Sequence, residues 1–228
     1  MRKICVSFVF FLIVHSSFAQ SNFLNNSYKL AFSYLFENEN VSTIYFEREV
    51  YLQFKRDKIQ QYLSFIFSLE KDKYYDLYKF KDDFFYGRND FGSNAPLRDF
   101  KLLLAEKDLG EAFRNKIIFC NDINRVLSDF GKNHIEPNFN HITPPAEYKR
   151  VFFLLIKPAE PLLIGKKRVI LTFFSRVILG FKKNGKLVAI DGWYDTDREV
   201  YVFDVKEDLN GKIKIVKVSV LKQNTTDN

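Results

Sequence analysis

The chain has 228 residues, 46% hydrophobic, 28% charged and 17% aromatic, with a formal net charge of +7. That balance excludes a disordered chain, a collagen-like chain and a disulfide-dense mini-protein. With 26 Phe and 12 Tyr, material for a large core is plentiful.

Arg2 and Lys3 precede an apolar run from Ile4 to Val14, and Ser17-Phe18-Ala19 supplies the small residues of a cut before Gln20. This is the order of a secretory signal peptide, so residues 1–19 predict export, with cleavage near Ala19 and a secreted or periplasmic destination. The alternative is an uncleaved anchor, but this run is short for about 30 Å of hydrocarbon. No later segment is apolar enough to span, so no transmembrane segment is expected in the mature chain. Cys120 is its one cysteine, which leaves no intrachain disulfide. Ile117, Ile118 and Phe119 beside it predict a small buried thiol in an apolar helical segment. Residues 151–228 hold 14 basic and 9 acidic groups, so the positive excess sits in the last third.

Leu24, Tyr28, Ala31, Phe32 and Leu35 form one stripe of a helix. Ile44, Phe46, Val50, Leu52 and Phe54 predict a bent strand or hairpin interrupted at Arg48. Asp57 and Gln60 have capping-box spacing before a second helix, whose buried face is Ile59, Tyr62, Leu63, Ile66 and Phe67. Residues 74–86 fit helix or strand. Asn94 and Pro96 open another helix, and Ile123, Val126, Leu127 and Phe130 make a further stripe ending at Gly131. Pro137, Pro144 and Pro145 mark a break. Val151 to Ile156 predicts a strand covered on both faces, and Arg168 to Lys183 a long one. Asn184-Gly185 and Asn210-Gly211 signal two hairpins with two-residue turns. In the first, Gly180 faces Ala189, Ile178 faces Asp191 and Arg176 faces Trp193. In the second, Val205 faces Val216, Phe203 faces Val218, Tyr201 faces Val220, Asp204 faces Lys217 and Glu207 faces Lys214.

The expected fold is α+β: several N-terminal helices packed on one face of a curved, mainly antiparallel C-terminal β-sheet. After the signal peptide, residues 20–222 are expected to form a single domain. It is helix-rich over 20–131, connected through 132–150 and strand-rich over 151–222, with a disordered tail at 223–228.

Local catalytic signatures are missing: no G-x-G-x-x-G, P-loop, G-x-S-x-G, H-E-x-x-H or paired C-x-x-C occurs. His134, Glu136 and His141 could hold zinc, but their spacing is not a ligand spacing and ordinary loop polarity is the favoured reading. Pairing Cys120 with either histidine as a nucleophile is disfavoured by its apolar neighbours and by Asp122. Asp191, Asp195, Asp197 and Glu199 could bind Ca²⁺ but lack the ligand-loop order. No metal and no cofactor is therefore predicted.

Two further sets remain. Lys166, Lys167, Arg168, Lys182, Lys183 and Lys186 would attract anionic envelope components if they form one patch. The blander reading is lysines blunting a sheet edge. Export argues against intracellular nucleic acid as a partner. Arg176, Asp191 and Trp193 offer a cation, an acid and a flat ring over the small Gly180 and Ala189, the make-up of a ligand pocket. The blander reading there is a surface cation–π pair. The function expected is an exported, non-catalytic binding or structural protein. The alternative is an exported hydrolase-type enzyme, with Asp191, His134 or His141 among acid–base residues around the sheet face.

Overall fold

The structure, a computed structural model, describes residues 22–48, 52–71, 73–87, 109–122, 125, 149–184, 186–191 and 198–224. Helix α1 covers 22–38. Then come β1 (Thr43–Glu47), β2 (Leu52–Phe54), α2 (Ile59–Ser68), β3 (Tyr74–Tyr75), α3 (Leu77–Phe84), β4 (Phe85–Gly87) and β5 (Ile117–Cys120). Six further strands follow among the described residues: β6 (Lys149–Pro158), β7 (Leu162–Leu163), β8 (Arg168–Lys183), β9 (Lys186–Asp191), β10 (Glu199–Glu207) and β11 (Ile213–Gln223).

Among the described residues, nine strands form one sheet in the order β3-β11-β10-β8-β6-β1-β5, with β7 and β9 also paired to β8. The sheet is mixed. The C-terminal ladders are antiparallel, but β1 runs parallel to β5 and β6, and β11 runs parallel to β3. The expectation of helices on one face of a mainly antiparallel sheet is thus overturned. Every residue of β1 is buried, as suits an inner parallel strand covered on both faces.

Alternation along β8 explains why both faces carry a core. Val169, Leu171 and Phe173 meet α1, whose Tyr28 stacks on Phe173 at 5.7 Å and whose Phe32 packs edge-on to Phe46 at 5.2 Å. Ile170 and Phe174 face the opposite way, onto Tyr62 and Ile66 of α2, Leu77 and Phe80 of α3, and the small β2–β4 ladder. A third apolar patch, Tyr45, Phe153, Leu155 and Ile178, continues that second face.

Several local expectations need correction. The 44–54 segment is neither a hairpin nor one strand, since β1 joins the main sheet and β2 pairs with β4. Ile117–Cys120 is a strand beside β1, not a helix. A 3-10 turn, Arg56–Lys58, precedes α2, whose N-cap is Lys58, with no side-chain cap from Asp57. Phe67 is 40% exposed, between the Arg168 guanidinium and the Lys217 ammonium. The 74–86 stretch supplies both types, with Asp76 capping α3 through a 3.0 Å bond from the Lys79 amide.

In the second hairpin, Tyr201, Phe203 and Asp204 face Val220, Val218 and Lys217 as expected. The register shifts between Asp204 and Val205, so Val205 faces Ile215 and Glu207 faces Ile213. Val216 is left 55% exposed. The cause is the turn. Asp208 accepts from the amides of Asn210 and Lys212 and closes a longer loop than two residues, with Gly211 at φ 78°. The first hairpin pairs Lys183 with Lys186 and Lys182 with Leu187, and its register then shifts. Gly180 faces Ile190, Phe181 faces Ala189 and Leu179 faces Asp191, so the predicted Gly180–Ala189 and Ile178–Asp191 pairs do not form. The signal segment, the 94–104 and 123–131 helices and the prolines at 137, 144 and 145 lie outside the described residues, Arg125 excepted.

Candidate functional site

A groove of about 480 Å³ passes over the edge of β11, a volume in the range of small-ligand sites. One wall comes from Tyr34 of α1 and from Glu39, and the other from Leu69, Glu70, Lys71 and Lys73 after α2. Its floor is Glu199 and Tyr201 of β10 with Lys217–Lys222 of β11, Leu221 excepted. Alternation sets this floor: Glu199 and Tyr201 share the α1 face of β10, and Val218, Val220 and Lys222 share that face of β11.

The polar centre is a tyrosine hydroxyl bonded to a carboxylate. Tyr201 is fully buried, and its hydroxyl donates to Glu199 Oε2 at 2.6 Å. Glu39 lines the same groove as that hydroxyl. Burial holds the Glu39 carboxyl above its ordinary range; the Glu199 charge adds to this, while the Tyr201 hydroxyl and Lys222 oppose it. Burial and the neighbouring carboxylates hold the Tyr201 phenol protonated. Around the centre, Lys222 Nζ is 3.9 Å from Glu199 Oε1 and Lys73 Nζ is 3.6 Å from Glu70. Lys217 Nζ donates to the carbonyls of Ile66 and Phe67 at 3.1 and 3.0 Å, closing the end of α2. Lys71 stands at the rim of the groove.

The predicted residues are distributed differently. Arg168 and Lys182 stand near opposite ends of β8, about 45 Å apart at about 3.3 Å per residue. The six basic residues therefore do not make one patch. Arg168 chelates Asp204 at 2.9 and 2.7 Å, and Lys167 pairs with Glu207 at 3.0 Å. Lys166 is exposed. The side chains of Lys182, Lys183, Lys186 and Asp191 lie outside the described residues, as do Trp193, Asp195, Asp197, His134, Glu136 and His141. Arg176 is not a surface residue. It is buried on the second face beside Leu155, and its Nε finds no hydrogen-bond partner among the described residues.

On that second face Cys120 lies beside Glu47. Burial, then the Glu47 and Asp122 charges, push the Cys120 thiol up to about 12 against the opposing Arg48 and Lys157. That is the reverse of a reactive thiol site. Among the described residues no group of three or more His, Cys, Asp and Glu could hold a metal ion. No helix among them is long and apolar enough to cross a membrane.

Sequence reasoning missed Glu39 and the polar role of Tyr201. Tyr201 reads only as a core position, and Glu39 joins it from 162 residues away in sequence, so no local spacing could link them. Glu199 stood in the acidic set, and its hydrogen-bond partner is the tyrosine two residues on. Compared with family models, with curated proteins and with solved structures, the chain matches none.

Proposed function

We propose that this chain is an exported, non-catalytic binding protein whose groove over β11 holds a small polar ligand bearing both charges. The observation that carries the reading is the groove itself, in which Glu199 lies on the floor, Glu39 in the adjoining wall and Lys71 at the rim. A ligand amine would meet the carboxylates and a ligand anion the Lys71 ammonium, while Leu69, Val218 and Val220 supply apolar contact. Export rests on the signal-like order of residues 1–19.

Calorimetric titration with free amino acids, dipeptides, polyamines and dicarboxylates tests it. A zwitterion should bind the wild-type chain, and Glu199→Gln and Lys71→Ala should each weaken it. A panel in which nothing binds, or in which both variants bind as the wild type does, overturns the reading. The second reading, an exported hydrolase, draws on the raised Glu39 carboxyl, because a general acid must hold its proton near working pH. Turnover of ester or glycoside substrates that is lost in Glu39→Gln would favour it over simple binding.

A further inference from the structure

We propose, on the reading that the groove binds a ligand of both charges, that this ligand is an extended peptide. It adds as a strand along the outer edge of β11, with its free carboxyl end against β3. The groove runs along an edge and not over one face. Of its lining, Lys217 and Ser219 point to the α2 side of the sheet, and Val218 and Val220 point to the α1 side. Residues of both faces line one groove only at the border of the strand. The opposite wall, Leu69 to Lys71 with Lys73, stands off from that border.

Backbone alternation sets which groups are open. The Gln223 amide donates inward to the Arg198 carbonyl at 2.9 Å, and the Asn224 amide donates outward to the Tyr75 carbonyl of β3 at 3.1 Å. Counted back by twos, the amides and carbonyls of Leu221 and Ser219 face β10, while those of Val220 and Val218 face outward. β3 pairs only with Lys222 and Gln223, so no strand among the described residues takes up the outward groups of Val218 and Val220. Such an edge is a template for an added strand. Lys217, the lysine that could guard this stretch, is turned under the sheet to the Ile66 and Phe67 carbonyls.

β3 fixes the direction. It runs parallel to β11, with Tyr74 beside Lys222. A peptide in the same row and direction ends against Lys73, and Lys71 lies two residues earlier in the same wall. Its carboxylate therefore meets ammonium groups. An antiparallel peptide would bring its own ammonium to the same lysines, and like charges oppose that. The peptide residue in register with Val220 turns its side chain to the α1 side, where Glu39 and Glu199 lie. A lysine or arginine there supplies the cation that these carboxylates take.

Selection on the immobilised full chain, from N-acetylated tetrapeptides of random sequence with free carboxyl ends, supplies the probe and the first test. Peptides with lysine or arginine in the last two positions should be enriched, and no enrichment overturns the proposal. In amide exchange of the chain alone, Val218 and Val220 should exchange freely while Ser219 and Leu221 are protected. Saturation with an enriched peptide should slow Val218 and Val220 by at least about tenfold. Methylating the peptide nitrogens that face β11, or amidating its carboxyl end, should each weaken binding about tenfold. Val220→Pro removes only an outward N–H, which edge strands tolerate, and should abolish binding with the β8 amides still protected. Protection of Val218 and Val220 in the chain alone, by its own segments or by a second copy, overturns the proposal. So does a methylated peptide that binds as well as its parent. A free amino acid that binds where no peptide does would leave the groove reading standing and strand addition refuted. A peptide that slows both amides equally well in Glu199→Gln and Lys71→Ala would refute the two-charge reading and leave strand addition standing.

Discussion

Asp204 and Lys217 stand directly opposite one another on β10 and β11, yet no ion pair joins them. Asp204 turns to Arg168 on its other neighbouring strand and accepts two bonds from the guanidinium. Lys217 instead reaches the last carbonyls of α2. Each choice follows from burial. The Asp204 side chain is 5% exposed and needs a fork of donors, which arginine supplies and an ammonium does not. A face that would be solvated in an isolated hairpin is here the floor beneath α2.

Arg168→Met should therefore be strongly destabilising, because it leaves a buried carboxylate without its partner. A loss of about 3–5 kcal/mol is expected in denaturant unfolding. Replacing both residues, Arg168→Met with Asp204→Leu, should recover most of that loss, since no charge is then buried. A double variant as unstable as the single would show that the pair positions β8 against β10 in some other way.

Val205 and Lys217 separate core from cap. Val205 is fully buried on the α1 face, so Val205→Asp should cost several kcal/mol, enough to threaten a fold of about 5–15 kcal/mol. Lys217→Gln removes the charged donor at the end of α2 and should cost about 1 kcal/mol, with faster amide exchange confined to the last turn of that helix. Equal losses in the two variants, or exchange unchanged at Ile66 and Phe67, would contradict this assignment.

What the sequence showed and hid has a physical pattern. Period-3.6 spacing located α1 and the buried side of α2, because Tyr28, Phe32, Tyr62 and Ile66 do face cores. Period-2 alternation gave Tyr201, Phe203 and Val205 correctly, because one face of β10 meets α1. It failed for Asp204, which looks solvent-facing only while α2 and α3 are assumed to lie on the other side. Ile117–Cys120 is too short an apolar run to separate helix from strand, and its partner β1 is distant in sequence. Turn residues predicted where the chain reverses at 208–212 but not the loop length, since Asp208 bonds to Lys212 across the Asn210-Gly211 pair. The groove was illegible because it joins Glu39, Lys71 and Glu199 through tertiary packing alone.

Cys120 should resist alkylation in the native state. Its thiol, pushed up to about 12, holds almost no thiolate near neutral pH, and its sulfur also contacts the Phe46 carbonyl at 3.6 Å. Reaction with a maleimide at pH 7 should be slow and should accelerate sharply in denaturant. Rapid labelling of the folded chain would mean that the sheet face around Glu47 opens readily.

Asp208 offers a test of the second hairpin that the pH can switch. Its carboxylate accepts from the Lys212 amide at 3.0 Å and the Asn210 amide at 2.9 Å. The backbone bond from Lys212 is the chief cause of a value held below the ordinary 3.8. A lowered folded value means the ionised form is favoured by the fold, so this contribution is present above about pH 4 and is lost as the pH falls through the folded value. Asp208→Ala should lower Tm at pH 7 and converge on the wild type in acid. Asp208→Asn, whose side-chain carbonyl still accepts, should fall between them at pH 7 and show no convergence of its own. A gap between wild type and Asp208→Ala that persists undiminished at about pH 2 would mean that the loop is held by its backbone geometry at Gly211 and not by the carboxylate.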